Sequence, residues 1–186
     1  MKNFMKNEQS GRSMVEMLGV LAIIGVLSVG GISGYSKAMA KYKLTKAQDQ
    51  ISMLLINIRT AFASSPSYSN LNNSNAVLLN IVPGDMLPGG LGKAVTASGG
   101  VVNAFSGAVV LGTTSNGQHF TIEFGGLGKE TCASLAASDW GTEGLVSMKV
   151  NSNAKKDQSD LPINAIEAAT LCNLDDSANK IIWEYY

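Results

Sequence analysis

The chain has 186 residues, of which 45% are hydrophobic and only 15% are charged, so it holds one domain plus an appendage and carries fewer charges than a typical soluble domain. Its formal net charge is zero, but the charges are unevenly distributed. The part up to Ala63 has eight basic and three acidic side chains, whereas the rest has an excess of acidic side chains. Neither half is basic or aromatic enough to predict binding to a nucleic acid.

The first predicted element is an apolar segment near the N-terminus. No charged residue stands between Met17 and Ser36, a length that spans the hydrocarbon core of a bilayer. One interpretation is a secretory signal peptide cut after Ala40, which would release a soluble binding protein. A second is a plain membrane anchor, whose orientation the flanking basic residues leave open. Neither explains Glu16, since a carboxylate at the middle of such a helix costs roughly 2.5–3.5 kcal/mol, and less near its end.

The residues around this acid resemble the cleavage region of type IV prepilins. In that family a short basic leader ends in Gly and precedes an apolar helix whose fifth residue is Glu, and Gly11 and Glu16 stand in that relation. The resemblance implies that prepilin peptidase cuts between Gly11 and Arg12, that the new N-terminus at Arg12 is methylated, and that the helix packs into a filament. Arg12 stands where the family usually has an apolar residue. The absence of proline between Arg12 and Ala63 is more similar to the type IVb class than to many type IVa pilins.

This resemblance predicts a role for Glu16 in assembly. An α-amino group is largely protonated at neutral pH, so the amino group of Arg12 in a neighbouring subunit can form a charge-assisted hydrogen bond with Glu16. Leaving either ion alone in the filament core costs several kcal/mol. The pair therefore selects the register in which cleaved subunits dock.

Helical periodicity continues beyond the apolar segment. Apolar residues recur at three- and four-residue spacing from Ile51 to Phe62, and no proline or glycine interrupts residues 35–63, which predicts an amphipathic extension of the same helix. Ser64-Ser65-Pro66 then ends it. The chain therefore divides into a leader over residues 1–11, a hydrophobic transmembrane and filament-core helix over 12–36, an amphipathic half over 37–63, and a globular head over 64–186.

Turn residues and changes of period divide the head into short elements. A short helix over Ala76–Val82, with Asn75 as its N-cap, precedes the turn sequence PGDMLPGG. Apolar and polar residues then alternate, which predicts a β-hairpin whose two strands are GAVVLGTT and QHFTIEF and whose turn is SNG. Phe120, Ile122 and Phe124 lie on one face of the second strand. Next come a short helix in GKETCASLAAS, a strand in GLVSMKVN, a loop in AKKDQSD, a turn or short helix in INAIEAATLCN, and a terminal strand in KIIWEYY. The predicted fold is α+β, with a long N-terminal α-helix packed against an antiparallel sheet of about four strands.

The two cysteines, Cys132 and Cys172, both lie in the predicted head. Behind an export or anchoring segment, two cysteines form a disulfide more often than they stay as free thiols. A zinc site has little support, because His119 is the only histidine and no C-x-x-C spacing occurs. The order of elements, with one cysteine in GLGKETCASL and the second in LCN before the final strand, resembles type IVb pilins of the enteric and conjugative-plasmid kind.

The sequence contains no pattern typical of a catalytic or cofactor site. No Ser-His-Asp or Cys-His arrangement can be placed around His119. The acidic pairs Asp157/Asp160 and Asp175/Asp176 lack the spacing of a calcium loop, and the glycine-rich stretches lack that of a phosphate-binding loop. We therefore expect a protein that is not an enzyme and that needs neither a metal nor a cofactor.

These features predict a structural subunit, the major pilin of a type IVb pilus, which polymerises with its own copies. The resemblance implies further partners, namely prepilin peptidase, membrane lipid before assembly and an assembly platform in the inner membrane. It also implies a single-pass inner-membrane precursor with a cytoplasmic N-terminus and a periplasmic head, which later becomes part of an extracellular filament. A minor pilin and a pseudopilin of type II secretion stay open as alternatives, as does the secreted binding protein cut after Ala40.

Overall fold

The computed structural model describes residues 14–90, 95–141, 144–175 and 177–186 of the chain. The predicted leader, Gly11 and Arg12 lie outside the described residues. The helices in the described part are α1 (Met14–Ala61), α2 (Asn73–Leu78), α3 (Lys129–Ala136) and α4 (Ala165–Leu171), and the strands are β1 (Val109–Thr114), β2 (His119–Leu127), β3 (Leu145–Val150), β4 (Lys156–Asp157) and β5 (Asn179–Tyr185).

The chain divides into two units, one up to Lys41 and one from Tyr42 to Tyr186. In the first unit every described residue belongs to α1. The second, here called the C-terminal unit, contains the rest of α1 and all the other elements. It holds the hydrophobic core of the protein, to which both the sheet and α1 contribute.

Within the C-terminal unit, α1 contributes one apolar stripe to this core. Ala47, Ile51, Leu54 and Ile58 are completely buried, and their spacing of three and four residues places them on one side of the helix. The helix ends at Ala61, two residues before its predicted end, which is within the usual uncertainty of helix boundaries. The prediction of an amphipathic continuation is confirmed.

The sheet is antiparallel, with the strand order β1-β2-β5-β3-β4. Its central strand β5 pairs with β2, where Phe120 lies opposite Tyr185, and with β3, where Met148 lies opposite Trp183. All four of these side chains are buried. The sheet has five strands rather than about four because two residues of the predicted loop, Lys156 and Asp157, pair with β3. The predicted α+β architecture is confirmed.

Two local predictions differ from the structure. The N-cap of α2 is Asn72 and not Asn75, since the extended backbone of Asn72 lets its side-chain oxygen accept a hydrogen bond from the Asn75 N–H at 3.0 Å. That helix also ends at Leu78 rather than Val82, and Asn80 then adopts a left-handed φ of 53°. The segment predicted as a turn or short helix is α4, and its N-cap is Asn164.

Candidate functional site

The N-terminal part of α1 exposes an unusually large apolar surface. Every residue from 14 to 36 is exposed, including Leu21 at 62%, Leu27 at 69% and Val29 at 71%. This is the one helix in the described part of the chain that is long and apolar enough to cross a membrane. At about 25 cal/mol for each Å² of apolar surface, leaving these side chains in water is strongly unfavourable, so the surface needs lipid or protein to cover it.

Five glycines lie on this apolar part of α1: Gly19, Gly25, Gly30, Gly31 and Gly34. Each costs up to about 1 kcal/mol in a helix relative to alanine. A Cβ added at any of them would meet nothing within 4 Å, so no contact with the described part of the chain requires a glycine there. Small residues allow close approach between apolar helices, so this surface is suited to packing against another apolar helix.

Glu16 lies in the first turn of α1, at one end of this apolar surface. A helix N-terminus favours a negative charge because the peptide dipoles point their positive ends towards it. The predicted partner of Glu16 is Arg12 of a neighbouring copy, which lies outside the described residues. The pairing therefore stays a prediction.

Cys132 and Cys172 form a disulfide within the C-terminal unit. It joins α3 to the residue that follows α4, with a Cα–Cα distance of 5.8 Å and a sequence separation of 40. Both residues are buried. A crosslink over this separation contributes about 4 kcal/mol if its main effect is to restrict the unfolded chain. The bridge therefore supports the fold.

A cluster of polar side chains surrounds Glu184 on the sheet face opposite the core. Although Glu184 is only 4% exposed, its carboxylate accepts hydrogen bonds from the Thr114 hydroxyl, the Ser147 hydroxyl at 2.9 Å and the Lys155 ammonium. His119 Nδ1 lies 3.1 Å from the carboxylate oxygen Oε1. The cluster joins the central strand β5 to β1, β2, β3 and the segment before β4.

These contacts control the charge of Glu184. Burial raises the pKa of the carboxyl, but the hydrogen bonds from Lys155, Thr114, Ser147 and His119 outweigh burial and lower the pKa from 4.5 to about 2. The carboxylate is therefore ionised at neutral pH, and its hydrogen-bonding capacity is occupied by protein groups. Such an acid is suited to holding strands together.

The other side chains considered as chemical candidates do not converge on one site. Asp175 forms an ion pair with Lys129 at 2.7 Å, and both are largely exposed, while Asp176 lies outside the described residues. Within residues 14–90, 95–141, 144–175 and 177–186, no three His, Cys, Asp or Glu side chains are grouped so that they could hold a metal ion. His119 belongs to the Glu184 cluster.

The Glu184 cluster is the feature that sequence reasoning missed. A period of two along KIIWEYY does place Glu184 on the face opposite Trp183. Nothing in that pattern identifies partners that lie 70 positions away at Thr114 or 29 positions away at Lys155. Only the order of strands in the sheet brings them together.

Comparison with known proteins places this geometry in context. Residues 41–185 match the family described as PilS N terminal. The chain is 24% identical over 190 residues to the "Major structural subunit of bundle-forming pilus" of Escherichia coli O111:H-, covering 96% of this chain and 95% of that relative. A protein of the same description from Escherichia coli O127:H6 (strain E2348/69 / EPEC) has the same identity and coverage.

Two solved structures share the fold. The crystal structure of a type IV b pilin from Salmonella typhi has a TM-score of 0.53 and 21% identity, and the match covers 78% of this chain and 98% of that one. The structure of TcpA, a type IV pilin from Vibrio cholerae El Tor biotype, has a TM-score of 0.52 and 17% identity, with 78% and 99% covered. The likeness to these two structures is one of fold.

Proposed function

The chain belongs to the PilS family of type IV pilins, and from that premise we propose that it is the major structural subunit of a type IVb pilus. It polymerises through α1 after prepilin peptidase has cut between Gly11 and Arg12 and methylated Arg12. The near full-length similarity to two proteins described as major structural subunits of a pilus supports this function. The role is structural and not catalytic.

The observation that carries the proposal is the exposed apolar surface of α1 over residues 14–36. Two environments cover it in turn. Lipid surrounds it before assembly, because the uncharged run from Met17 to Ser36 is long enough to span a bilayer. The equivalent helices of neighbouring copies surround it afterwards, and its five glycines permit their close approach.

In this assembly from the membrane into the filament, each part of the chain has a role. Residues 1–11 are the leader, 12–36 the transmembrane and filament-core helix, 37–63 the amphipathic half, and 64–186 the head. Before assembly the chain crosses the inner membrane once, with its N-terminus in the cytoplasm and its head in the periplasm. There it meets the assembly platform and joins an extracellular filament.

Glu16 completes the assembly mechanism. Its carboxylate pairs with the amino group of Arg12 on the neighbouring copy as that copy docks, and the Arg12 guanidinium can compete for the same carboxylate. Because an unpaired ion in an apolar core is costly, only subunits cut at Gly11 dock in register. The Glu16–Arg12 ion pair therefore determines the axial register of neighbouring subunits and adds little to the net stability of the filament.

The mature N-terminus tests this proposal directly. Filaments sheared from cells that express the full chain should contain a subunit beginning at Arg12, as measured by intact mass and N-terminal sequencing. A Gly11→Val chain should keep its leader and stay in the membrane. A mature chain beginning at Lys41 would instead support the secreted binding protein and contradict the pilin function.

Abundance separates a major pilin from the alternatives that share its helix. Quantitative mass spectrometry of sheared filaments should find this chain as the dominant protein by copy number. If it is a trace component beside another pilin, it is a minor pilin. If it stays in the membrane fraction of a secretion system, it is a pseudopilin.

A further inference from the structure

Two exposed lysines follow the uncharged run of α1 and are here called the lysine pair. Lys37 comes directly after Ser36, and Lys41 comes one turn further along the same helix. Positions four residues apart are neighbours on the surface of an α-helix, and both side chains are exposed. The lysine pair therefore presents two positive charges from one face of the helix.

The described part of the chain does not neutralise these two charges. The stretch from Met17 to Gln48 contains no aspartate or glutamate, so neither lysine has an acid at the three- or four-residue spacing that forms an ion pair on a helix. Neither lysine forms an ion pair with any other described segment. Within that part of the chain, both ammonium groups are left to an external anion.

The length of the uncharged run sets the depth of the lysine pair in a bilayer. The run from Met17 to Ser36 is about 30 Å long at a rise of about 1.5 Å per residue, and the hydrocarbon core is also about 30 Å thick. For a helix along the bilayer normal, Lys37 then lies about 1.5 Å beyond the core and Lys41 about 7.5 Å beyond it. The headgroup layer extends about 5–8 Å on each side, so both residues lie at the level of the lipid phosphates.

Tyr35 supports the same depth. It is 69% exposed and lies in the last turn before the lysine pair. Tyrosine is enriched at membrane–water interfaces, because its ring is apolar and its hydroxyl is polar. A tyrosine followed at once by lysines is therefore suited to the boundary between the hydrocarbon core and the headgroups.

The proposed topology places the lysine pair on the side where basic residues are less common. Lysine and arginine are usually in excess on the cytoplasmic side of a membrane-spanning helix, whereas the lysine pair faces the periplasm and is followed by Lys43 and Lys46. Orientation of the helix therefore does not account for these charges. Anionic lipid does account for them, because each lysine near an anionic surface strengthens binding by about fivefold.

We propose that the lysine pair binds the phosphate groups of anionic phospholipids in the periplasmic leaflet and so holds the unassembled subunit at a fixed depth. The inference rests on the proposed function, in which the precursor spans the inner membrane. The lipid is anionic rather than zwitterionic, because a zwitterionic headgroup carries its own cation beside the phosphate and this cation repels the ammonium groups. Since α1 leaves the bilayer on assembly, the contact belongs to the precursor alone.

Lipid retention in mixed nanodiscs tests the inference. The full-length chain is placed in nanodiscs of equal parts phosphatidylglycerol and phosphatidylcholine, and native mass spectrometry counts the lipids that stay bound when the protein is released. The unaltered chain should retain phosphatidylglycerol in at least fivefold excess. Lys37→Gln with Lys41→Gln should lower this excess at least fivefold, whereas Lys37→Arg with Lys41→Arg should keep it.

The matched control removes the same charge from the sheet. Lys149→Gln with Lys180→Gln, on β3 and β5, should change the excess less than twofold. An equal fall in this control, an unchanged excess in the Lys37→Gln, Lys41→Gln chain, or a similar fall in the arginine chain would overturn the inference.

Salt gives an independent measurement on the unaltered chain. Because added ions screen exposed charges, the excess of phosphatidylglycerol should fall at least twofold between about 50 mM and about 500 mM salt, and an excess that does not depend on salt would overturn the inference. A membrane-spanning chain without any lipid preference would overturn this inference and leave the proposed function standing. A mature chain beginning at Lys41 lacks both Lys37 and the uncharged run, and it would overturn the proposed function itself.

Discussion

Replacing Glu184 by glutamine removes the charge at the centre of the polar cluster while it keeps the size of the side chain. The carboxylate receives hydrogen bonds from Thr114, Ser147 and Lys155, and glutamine offers one acceptor oxygen where glutamate offers two. The Glu184→Gln variant therefore leaves all of these donors without a charged acceptor, and it leaves the donors that face the new amide nitrogen with no acceptor there. We expect it to fold and to be less stable at neutral pH.

The lowered pKa sets the size of this effect. A fall in the pKa of Glu184 from 4.5 to about 2, at about 1.4 kcal/mol for each pH unit, corresponds to about 3 kcal/mol of stability. Because the folded-state pKa lies below the unfolded value, this contribution is complete well above pH 4.5 and is lost as the pH falls towards 2. Glu184→Gln should therefore lower the free energy of unfolding by about 3 kcal/mol at pH 7 and by less than about 1 kcal/mol at pH 2.

Urea unfolding of the full-length subunit in detergent measures this difference. Tryptophan fluorescence reports it, since Trp183 lies in the core, and curves for both proteins are needed from pH 7 to pH 2. The matched control is Glu130→Gln, an exposed acid on α3, which should stay within about 0.5 kcal/mol. A loss that is as large at pH 2 as at pH 7 would show that packing, and not charge, accounts for the role of Glu184.

Four further substitutions test other parts of the structure. Cys132→Ser should lower the free energy of unfolding by about 4 kcal/mol, and it should reduce subunit levels on immunoblots more than it alters the filaments that form. Two free thiols per chain in wild-type protein that is alkylated without reduction would contradict the disulfide. Glu16→Ala should leave cleavage and membrane levels normal yet lower filament yield at least tenfold, so abundant filaments seen by electron microscopy would refute its assembly role. Gly107→Ala should destabilise by about 1–3 kcal/mol or more, because the new Cβ would stand 1.9 Å from the Gly125 carbonyl oxygen. Gly84→Ala, whose Cβ meets nothing within 4 Å, should be close to neutral in thermal unfolding. Asn73→Ala should cost about 2–4 kcal/mol in urea unfolding by leaving a buried carbonyl and a buried N–H on β1 without their partner, and a change below 0.5 kcal/mol would show that the two groups find other partners.

The long helix and the hairpin could be predicted from the sequence because each rests on a local pattern. An uninterrupted helical period predicts the apolar stripe from Ile51 to Phe62, of which Ile51, Leu54 and Ile58 are fully buried. A period of two on either side of SNG predicts β1 and β2. Both patterns depend on residues close together in the chain, so no knowledge of the rest of the fold was needed.

The remaining features depend on contacts that a local pattern does not contain. A strand of two residues, such as β4, is too short to show any period. In the run LNNSN, several asparagines can cap a helix, and the hydrogen bonds of Asn73 to β1 decide which one does. The partners of Glu184 come from four segments that meet only in the finished sheet.

The position of β5 in the sheet has a consequence for the order in which the chain can fold. It follows the other four strands in the sequence, yet it lies between β2 and β3. A chain emerging from the ribosome, or threading across a membrane, can form the β1–β2 hairpin early, but its two halves of sheet stay apart until the final strand arrives. Both halves would meanwhile present open edges, which tend to pair with other chains. The sheet of the C-terminal unit is therefore completed only when the last strand of the chain has joined it.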